Sequence, residues 1–296
     1  MELQQLRYVV ALAETISFTR AAERCLVVQS ALSHQIAKLE RELGARLFER
    51  TSRRVRLTPA GAAFLPAARQ CLDAAERAVA EVAAAVGQVR GRLAVGVIPS
   101  VAAVDIPGAL REFHERYPDV RVSLRVGGSE ELVAQVEEGT LDVAFLGLPT
   151  TAARPKGVRA RELGRDRLVA VVAPGHPLAG EGAVDLRRLS TEVFVDLPAG
   201  TAGRVQSDQA FAAAGLVREV AFEVTNADFL ARLVGQGLGV ALLASAYVAL
   251  LGGLTTVEVV EVTDAPERVE YVVWSGAGRT AAAGAFLELV GVREEE

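Results

Sequence analysis

An α+β chain of several domains is predicted for these 296 residues on three observations. Residues 1–58 carry helical apolar spacing and then a pair of short apolar strands studded with arginine. Residues 59–90 carry a heptad seam free of charge. From residue 91 onward, short apolar runs alternate with helical stretches.

In the first stretch Leu3, Leu6, Val10 and Ala13 recur at helical spacing and predict a helix ending near Thr15, with this stripe buried. Ser17 is placed to cap a second helix, whose Ala21, Ala22 and Cys25 form a thin packing face. Leu26-Val27-Val28 then leads into a third helix with Leu32, Ile36, Leu39 and Leu43 inward. Short helices joined by so tight a turn predict a helix-turn-helix. The opposite face of the third helix holds Ser30, His34, Ala37 and Arg41, with Ser33 and Lys38 on its flanks and Gln29 at its start. On periodicity alone this is an ordinary solvated face.

The segment that follows points to nucleic acid. Leu47-Phe48 and Val55–Leu57 are able to pair as a hairpin around Ser52-Arg53, and Arg50, Arg53, Arg54 and Arg56 lie on or beside it. Residues 1–60 hold ten Lys+Arg against six Asp+Glu, whereas the remainder holds 22 against 31. The net charge of −5 therefore hides a basic head, which should grip any duplex weakly and lose affinity with salt. Gln29, Ser30, Ser33, His34 and Lys38 are the candidate base and phosphate contacts of the third helix, since such side chains reach base edges in the major groove. Ser17 and Thr19 at the start of the second helix, and Arg50, Arg53 and Arg54 of the wing, complete the candidate set.

Three runs of this head, LRYVVALAETISFTRAAE, QSALSHQIAKLERELGARLFER and RVRLTPAG, resemble the winged helix-turn-helix of LysR-type transcriptional regulators in order and register. That family usually reads Ser/Thr-Gln-Pro-Ala-Leu-Ser-Arg where this chain has Val28 to His34. Val28 has no side-chain oxygen with which to cap, which leaves Ser30 for that role, and His34 replaces an arginine.

Thr58 and Pro59 form a cap and first-turn start for the next helix. Leu65, Leu72, Val79 and Val86 share one heptad position, and Ala68, Ala75, Val82 and Val89 the other, which predicts a linker helix over 59–90 that pairs two subunits. Packing on its own domain is the alternative, and Pro66 should kink its first turns. The resemblance implies the same pairing, and further implies a homotetramer built as a dimer of dimers.

Beyond Arg92 the runs Leu93–Ile98, 101–117, Val120–Val126, 130–138 and Leu141–Leu146 argue for βαβ units and a parallel sheet. A second series from about residue 166 includes Leu168–Ala173, Val193–Asp196, 202–214, Val220–Val224, 226–235 and Val240–Leu243. A strand Val269–Trp274 and a helix 279–290 return to the first unit. Two lobes follow, about 91–162 with 266–296 and about 163–265. The runs RLAVGVIPS, PGALREFHERYPDVRV, GTLDVAFLG, RLVAVVAPGHPL and VGQGLGVALL resemble the effector-binding portion of the LysR-type family, itself similar to periplasmic binding proteins. The last run continues with Ala244 where the family usually has proline.

In open parallel sheets ligands sit beyond the carboxyl ends of strands, near the free N–H groups of helix starts. That places Ser100, Val101, Ser129, Gly147, Leu148, Leu197, Gly200, Thr201, Arg204 and Asn226 as candidate effector contacts. Ser100, Ser129, Thr201 and Asn226 read equally as helix caps, and Arg204 as either an anion partner or a salt-bridge residue. Positive helix ends favour a small anion such as a carboxylate.

Composition narrows the classes. His34, His114 and His176 stand apart from one another without ligand partners, and no cofactor or metal motif is present. Cys25 and Cys71 both precede the lobes, which excludes a disulfide switch inside them, and two cysteines suit a reducing compartment. Leu233 to Val257 carries no charge over 25 residues, but its glycines divide it into a helix end, a strand and a short helix. The N-terminus lacks a secretory signal pattern, so a cytoplasmic protein is expected. No nucleophile sits beside a base and no phosphate loop occurs, so an enzyme is not expected. The expected activity is transcription regulation through double-stranded DNA, a small-molecule effector and RNA polymerase, with a constitutive DNA binder or a catalytic two-lobed domain as alternatives.

Overall fold

The computed structural model describes residues 1–50, 55–251, 256–276 and 279–292, and these form two compact units, Met1–Gly91 and Arg92–Glu296. The first contains α1 (Leu3–Thr15), α2 (Phe18–Arg24), α3 (Gln29–Leu43), β1 (Phe48–Arg50), β2 (Val55–Leu57) and α4 (Pro59–Ala85). Helix α1 buries Leu6, Tyr8, Val9, Ala11 and Leu12, whereas Leu3 is exposed and Val10 and Ala13 are half-buried. The expected stripe is displaced because α2, α3 and α4 all pack on α1, so its buried arc is wider than one stripe. Even Gln5 is buried there, its Oε1 accepting from Glu2 N at 3.0 Å and its Nε2 donating to Gln35 Oε1 at 3.2 Å.

The turn between α2 and α3 closes with Val27 N donating to Ala22 O at 3.0 Å, and Leu26 adopts φ 56° to make it. Helix α3 faces the core with Leu32, Ile36 and Leu39. Leu43 is 40% exposed, contrary to expectation, because Gly44 ends the helix beside it with φ 69° and the chain turns toward the wing. The wing is anchored from α3: Glu40 Oε1 accepts from Leu47 N at 2.9 Å and from Phe48 N at 3.1 Å. Phe48 then pairs with Leu57 and Arg50 with Val55, antiparallel. Thr58 N donates to Leu47 O at 3.0 Å, and Thr58 Oγ1 donates to Arg46 O at 2.6 Å while accepting from Gly61 N at 2.9 Å. Gly61 lets α4 start this close to the wing, since a Cβ there would lie 2.1 Å from Leu47 O.

Helix α4 runs through Pro66 but stops at Ala85, short of residue 90, because Gly87 turns out of helical space with φ 80°. Arg69 and Arg24 both pair with Glu14, tying α4 and α2 to α1. Toward its end the seam is bare: Val79, Val82 and Val86 are 59%, 69% and 73% exposed.

The second unit begins with β3 (Gly91–Val97), α5 (Ile106–Arg116), β4 (Val120–Val126), α6 (Ser129–Glu137) and β5 (Val143–Pro149). The 15-residue strand β6 (Val158–Val172) follows, then β7 (Ala183–Val184), α7 (Leu186–Leu189), β8 (Val193–Asp196) and α8 (Ala202–Ala213). The chain continues as β9 (Glu219–Glu223), α9 (Ala227–Gly235), β10 (Ala241–Ala244), α10 (Ser245–Leu250), β11 (Glu258–Val262), β12 (Glu267–Ser275) and α11 (Ala281–Leu289). The helix expected over 101–117 starts only at Ile106, capped by Asp105, whose Oδ1 accepts from Gly108 N at 3.1 Å.

The sheet order is β4-β3-β5-β12-β6-β11-β7, with β10 also paired to β6. β3 and β5 are parallel, as are β8 and β9, but β12 is antiparallel to both β5 and β6, and β10 and β11 are antiparallel to β6. The sheets are therefore mixed rather than parallel. The strand that runs against its neighbours is β12 beside β5 in one lobe and β6 beside β10 and β11 in the other.

One lobe closes over Phe113, Phe145 and Phe286, whose rings meet edge to face. The other has apolar layers on both sides of its strands, around Leu189, Phe194 and Phe211 and around Leu230, Val234 and Leu243. β6 serves both lobes. It pairs with β12 as far as Arg167, with β10 from Leu168 and with β11 from Ala170, so the change of partners lies a few residues beyond the expected lobe boundary near 162–163. The return crossing runs alongside it, with Leu168 N donating to Pro266 O at 3.1 Å. Among the described residues no helix is long and apolar enough to cross a membrane.

Gly61→Ala should lower the stability of the head by about 1–3 kcal/mol, because the clashing atom is backbone and cannot rotate away. Thermal melting of the variant should show this as a lower transition, with weaker binding to all duplexes.

Candidate nucleic-acid interface and ligand cleft

Helix α3 presents Gln29, Ser30, His34 and Lys38 as exposed residues, with Ser33 half-buried at the edge of this face. Val28 occupies the cap position with no side-chain bond, and Ser30 lies one residue inside the helix rather than capping it. Both polar groups at the helix start thus stay on the surface. Lys38 Nζ lies 3.4 Å from Glu2 Oε1 with both partners about half exposed, an ion pair worth little in water. Ser17 Oγ accepts from Arg20 N at 3.4 Å and so caps α2, while Thr19 is exposed on its first turn. Arg50 closes β1 opposite Val55, and Arg53 and Arg54 lie outside the described residues.

In the second unit a narrow cleft, with about 10 Å³ of open space, separates the two lobes. One wall is Ile98, Pro99, Ser100, Gly127, Gly128, Gly147 and Arg268; the other is Leu197, Thr201, Ala202, Gly203 and Gln206. Of the expected contacts, Ser100, Gly147, Leu197 and Thr201 line it. The other six do not. Gly147 and Leu148 lie within β5 rather than after it, because pairing with Glu270 and Val269 of β12 prolongs the strand. Leu148 is half-buried, and Val101 packs against an apolar cluster of its lobe. Ser129 is buried behind the wall, its Oγ donating to Gly147 O at 3.0 Å and accepting from Gly147 N at 3.2 Å. Asn226 is an exposed cap whose Oδ1 accepts from Phe229 N at 2.8 Å, and Gly200 is exposed with φ 86°.

Arg204 is committed elsewhere. It pairs with Asp208 at 3.0 Å and Glu223 at 2.8 Å and lies 3.9 Å from Asp196. Asp196 is also 2.7 Å from Arg218, whose guanidinium stacks 4.8 Å above the Phe194 ring. Burial pushes the Asp196 carboxyl above its ordinary range, and Arg218, the Leu197 N–H and Arg204 pull the other way.

Arg268 and Gln206 escape the sequence reading. Arg268 is 2% exposed and organises one wall: Nη1 donates to Ser100 Oγ at 3.0 Å, and Nη2 to Ser100 O at 3.2 Å and to Glu270 Oε1 at 2.6 Å. Glu270, also buried, accepts from Ala103 N at 2.9 Å and Ala102 N at 3.1 Å. Gly147 admits the guanidinium, since a Cβ there would lie 2.9 Å from Arg268 Nη2. Removing one partner of such a buried pair typically costs about 3–5 kcal/mol. Alternation offered a signal for it, because Arg268 and Glu270 are two apart on a strand and share a face.

Cys25 is half-buried against the head core, where burial pushes its thiol up, and Cys71 is exposed on α4. Among the described residues no group of His, Cys, Asp and Glu is arranged to hold a metal ion.

Comparison with known proteins fits this geometry. Residues 3–62 match the family described as bacterial regulatory helix-turn-helix protein, lysR family, and residues 87–293 match the LysR substrate binding domain. The chain is 35% identical over 286 residues to the HTH-type transcriptional regulator ShiR of Corynebacterium glutamicum, covering 95% of each. It is similar to full-length CbnR in complex with its target DNA, with a TM-score of 0.75 and 26% identity over 98% of this chain and 99% of that one. It is also similar to a cysteine-to-serine mutant of Corynebacterium glutamicum OxyR in its hydrogen peroxide-bound form, with a TM-score of 0.56 and 28% identity over 98% of this chain and 91% of that one. With both units matched, the chain belongs to the LysR family of transcriptional regulators, joining an N-terminal helix-turn-helix domain to a C-terminal two-lobed substrate-binding domain.

Proposed function

We propose that the protein binds operator DNA through residues 1–58, pairs its subunits through 59–90, and adjusts both to a small carboxylate held between the lobes of 91–296. The observation that carries this reading is the donor-rich cleft. The Ser100 oxygen accepts from Arg268, which leaves the serine hydrogen to be donated, and α6 and α8 begin at the cleft without side-chain caps. Glu270 is turned to Arg268 and to backbone amides, so no free carboxylate faces the ligand from that pair. A ligand rich in acceptors fits such walls.

The bare seam of Val79, Val82 and Val86 supports pairing of α4 with a second copy, and the resemblance extends this to a dimer of dimers. Two heads held at fixed spacing read a roughly palindromic site. A ligand that closes the lobes then shifts the spacing, and with it the bend of the DNA and the access of RNA polymerase, by as much as it favours one arrangement over the other. The compartment that fits these roles is the cytoplasm.

Sensing of peroxide through a cysteine, suggested by the OxyR likeness, is not favoured. The lobes contain no cysteine, and the Cys25 thiol is held protonated by burial. Gln29, Ser30, Ser33 and His34 of α3 are assigned to base edges. Lys38, Ser17, Thr19 and the wing residues Arg50, Arg53 and Arg54 are assigned to phosphates.

A footprint on the DNA beside its own gene, with and without a compound that stabilises the protein, tests the whole reading, and an unchanged footprint would contradict it. Gln29→Ala should cost about 1–3 kcal/mol on the specific site and little on random duplex. Arg53→Ala with Arg54→Ala should weaken both and reduce the salt slope by about 2; titrations at several salt concentrations separate the two outcomes. Gly128→Phe should keep DNA binding but abolish ligand-induced stabilisation. At Gly128 φ is −76° and a Cβ meets only Gly200 O at 4.0 Å across the cleft, so the ring fills the ligand space without backbone strain.

A further inference from the structure

We propose that Gln206 is the specificity residue contributed by the second lobe, its side-chain amide donating to the bound carboxylate opposite Ser100. The assignment rests on the cleft being the effector site. Gln206 sits on the second turn of α8, lines the cleft, and is 3% exposed. Its Nε2 finds no hydrogen-bond partner among the described residues. Folded proteins rarely retain a buried amide nitrogen in that condition unless something else supplies the acceptor. The neighbouring Ser207, equally buried, shows the ordinary solution: its hydroxyl donates to Gly203 O at 3.2 Å. The deficit therefore belongs to the residue that faces the cleft and not to α8 as a whole.

The opposite wall repeats the pattern. Arg268 Nε is likewise buried without a partner, and the Arg268 guanidinium directs its other nitrogens at Ser100 and Glu270. Arg268 acts as a positioning residue, fixing the Ser100 hydroxyl so that its hydrogen is offered to the ligand. The uncapped starts of α6 and α8 add backbone N–H groups from each lobe.

A compact group with several acceptor oxygens satisfies donors on both walls at once, and a carboxylate is that group. An amine would leave donor facing donor, and an amide would do so at its nitrogen. The open space between the walls is small, about 10 Å³, room for little more than one water, so the lobes must part to admit a ligand and a short-chain carboxylate demands the least opening. By joining Gln206 to Ser100 it links the two lobes directly, which makes closure depend on the ligand.

The test is thermal melting of the full chain, as wild type, Gln206→Leu, Gln206→Met and Gly128→Phe, with acetate, lactate or succinate, with the matching amides, and with inorganic phosphate. Without additive, Gln206→Leu should melt at or above wild type, because it removes an unsatisfied polar group; a fall of more than about 2 °C in both Gln206 variants would assign the residue to structure and overturn the proposal. At least one carboxylate should raise the wild-type transition while its amide does not, and the Gln206 variants should bind that carboxylate at least tenfold more weakly. Methionine keeps the side-chain length without the donor and carries the comparison if leucine fails to fold. Equal stabilisation of wild type and the Gln206 variants would refute the role of Gln206 while leaving the cleft in place. Retained stabilisation in Gly128→Phe would refute the cleft itself, and stabilisation by phosphate alone, or by none of the carboxylates, would refute the ligand class.

Discussion

A charge buried in protein must be neutralised and hydrogen-bonded where it lies, and the Arg268–Glu270 pair is where this constraint shapes the receptor. Both side chains are almost inaccessible and 2.6 Å apart. Apart from Arg268 Nε, the hydrogen-bonding groups left over reach outward to Ser100, Ala102 and Ala103, the turn that follows β3. A loop that composition alone would leave free is thereby fixed from a strand 168 residues further along the chain. Gly147 completes the arrangement by leaving out the side chain that would collide with the guanidinium.

The head solves a related problem with one carboxylate, one hydroxyl and the backbone amides they bind. A wing of two three-residue strands is too short to hold itself in place, so its first amides are bonded by Glu40 from α3 and its end by Thr58 at the start of α4. Gly61 permits the contact at Leu47. The recognition helix, the wing and the linker helix are thus one bonded unit around a single apolar core. The acidic side chain of Glu40 is spent inside it rather than set against a duplex.

Much of this was legible in order and type. Helices α2 and α3, the hairpin, the cap at Thr58 and most strands and helices of the lobes fall where apolar period and turn residues place them, because these are local properties. The α1 stripe and Leu43 were misplaced, since the buried arc of a helix depends on how many neighbours it meets. The first ten residues of β6, with Arg159, Arg161, Glu162, Arg165, Asp166 and Arg167, look like a charged loop in sequence. They are a strand because β12 pairs with them.

The cleft divides in the same way. Ser100, Gly147, Leu197 and Thr201 follow from a general rule about strand ends and helix starts, which needs only the sequence. Arg204 and Asn226 obey the same local rule and yet face other partners; alternation pairs Arg268 with Glu270 but does not say that they face the cleft, and Gln206 follows from no local rule at all. The sequence by itself determined the elements, their order, the basic head and the family, because period, caps and charge are written along the chain. Tertiary structure alone decided which polar side chains are consumed by internal partners and which remain unsatisfied at the cleft, because hydrogen bonding between residues far apart in sequence depends on packing that no window of residues encodes.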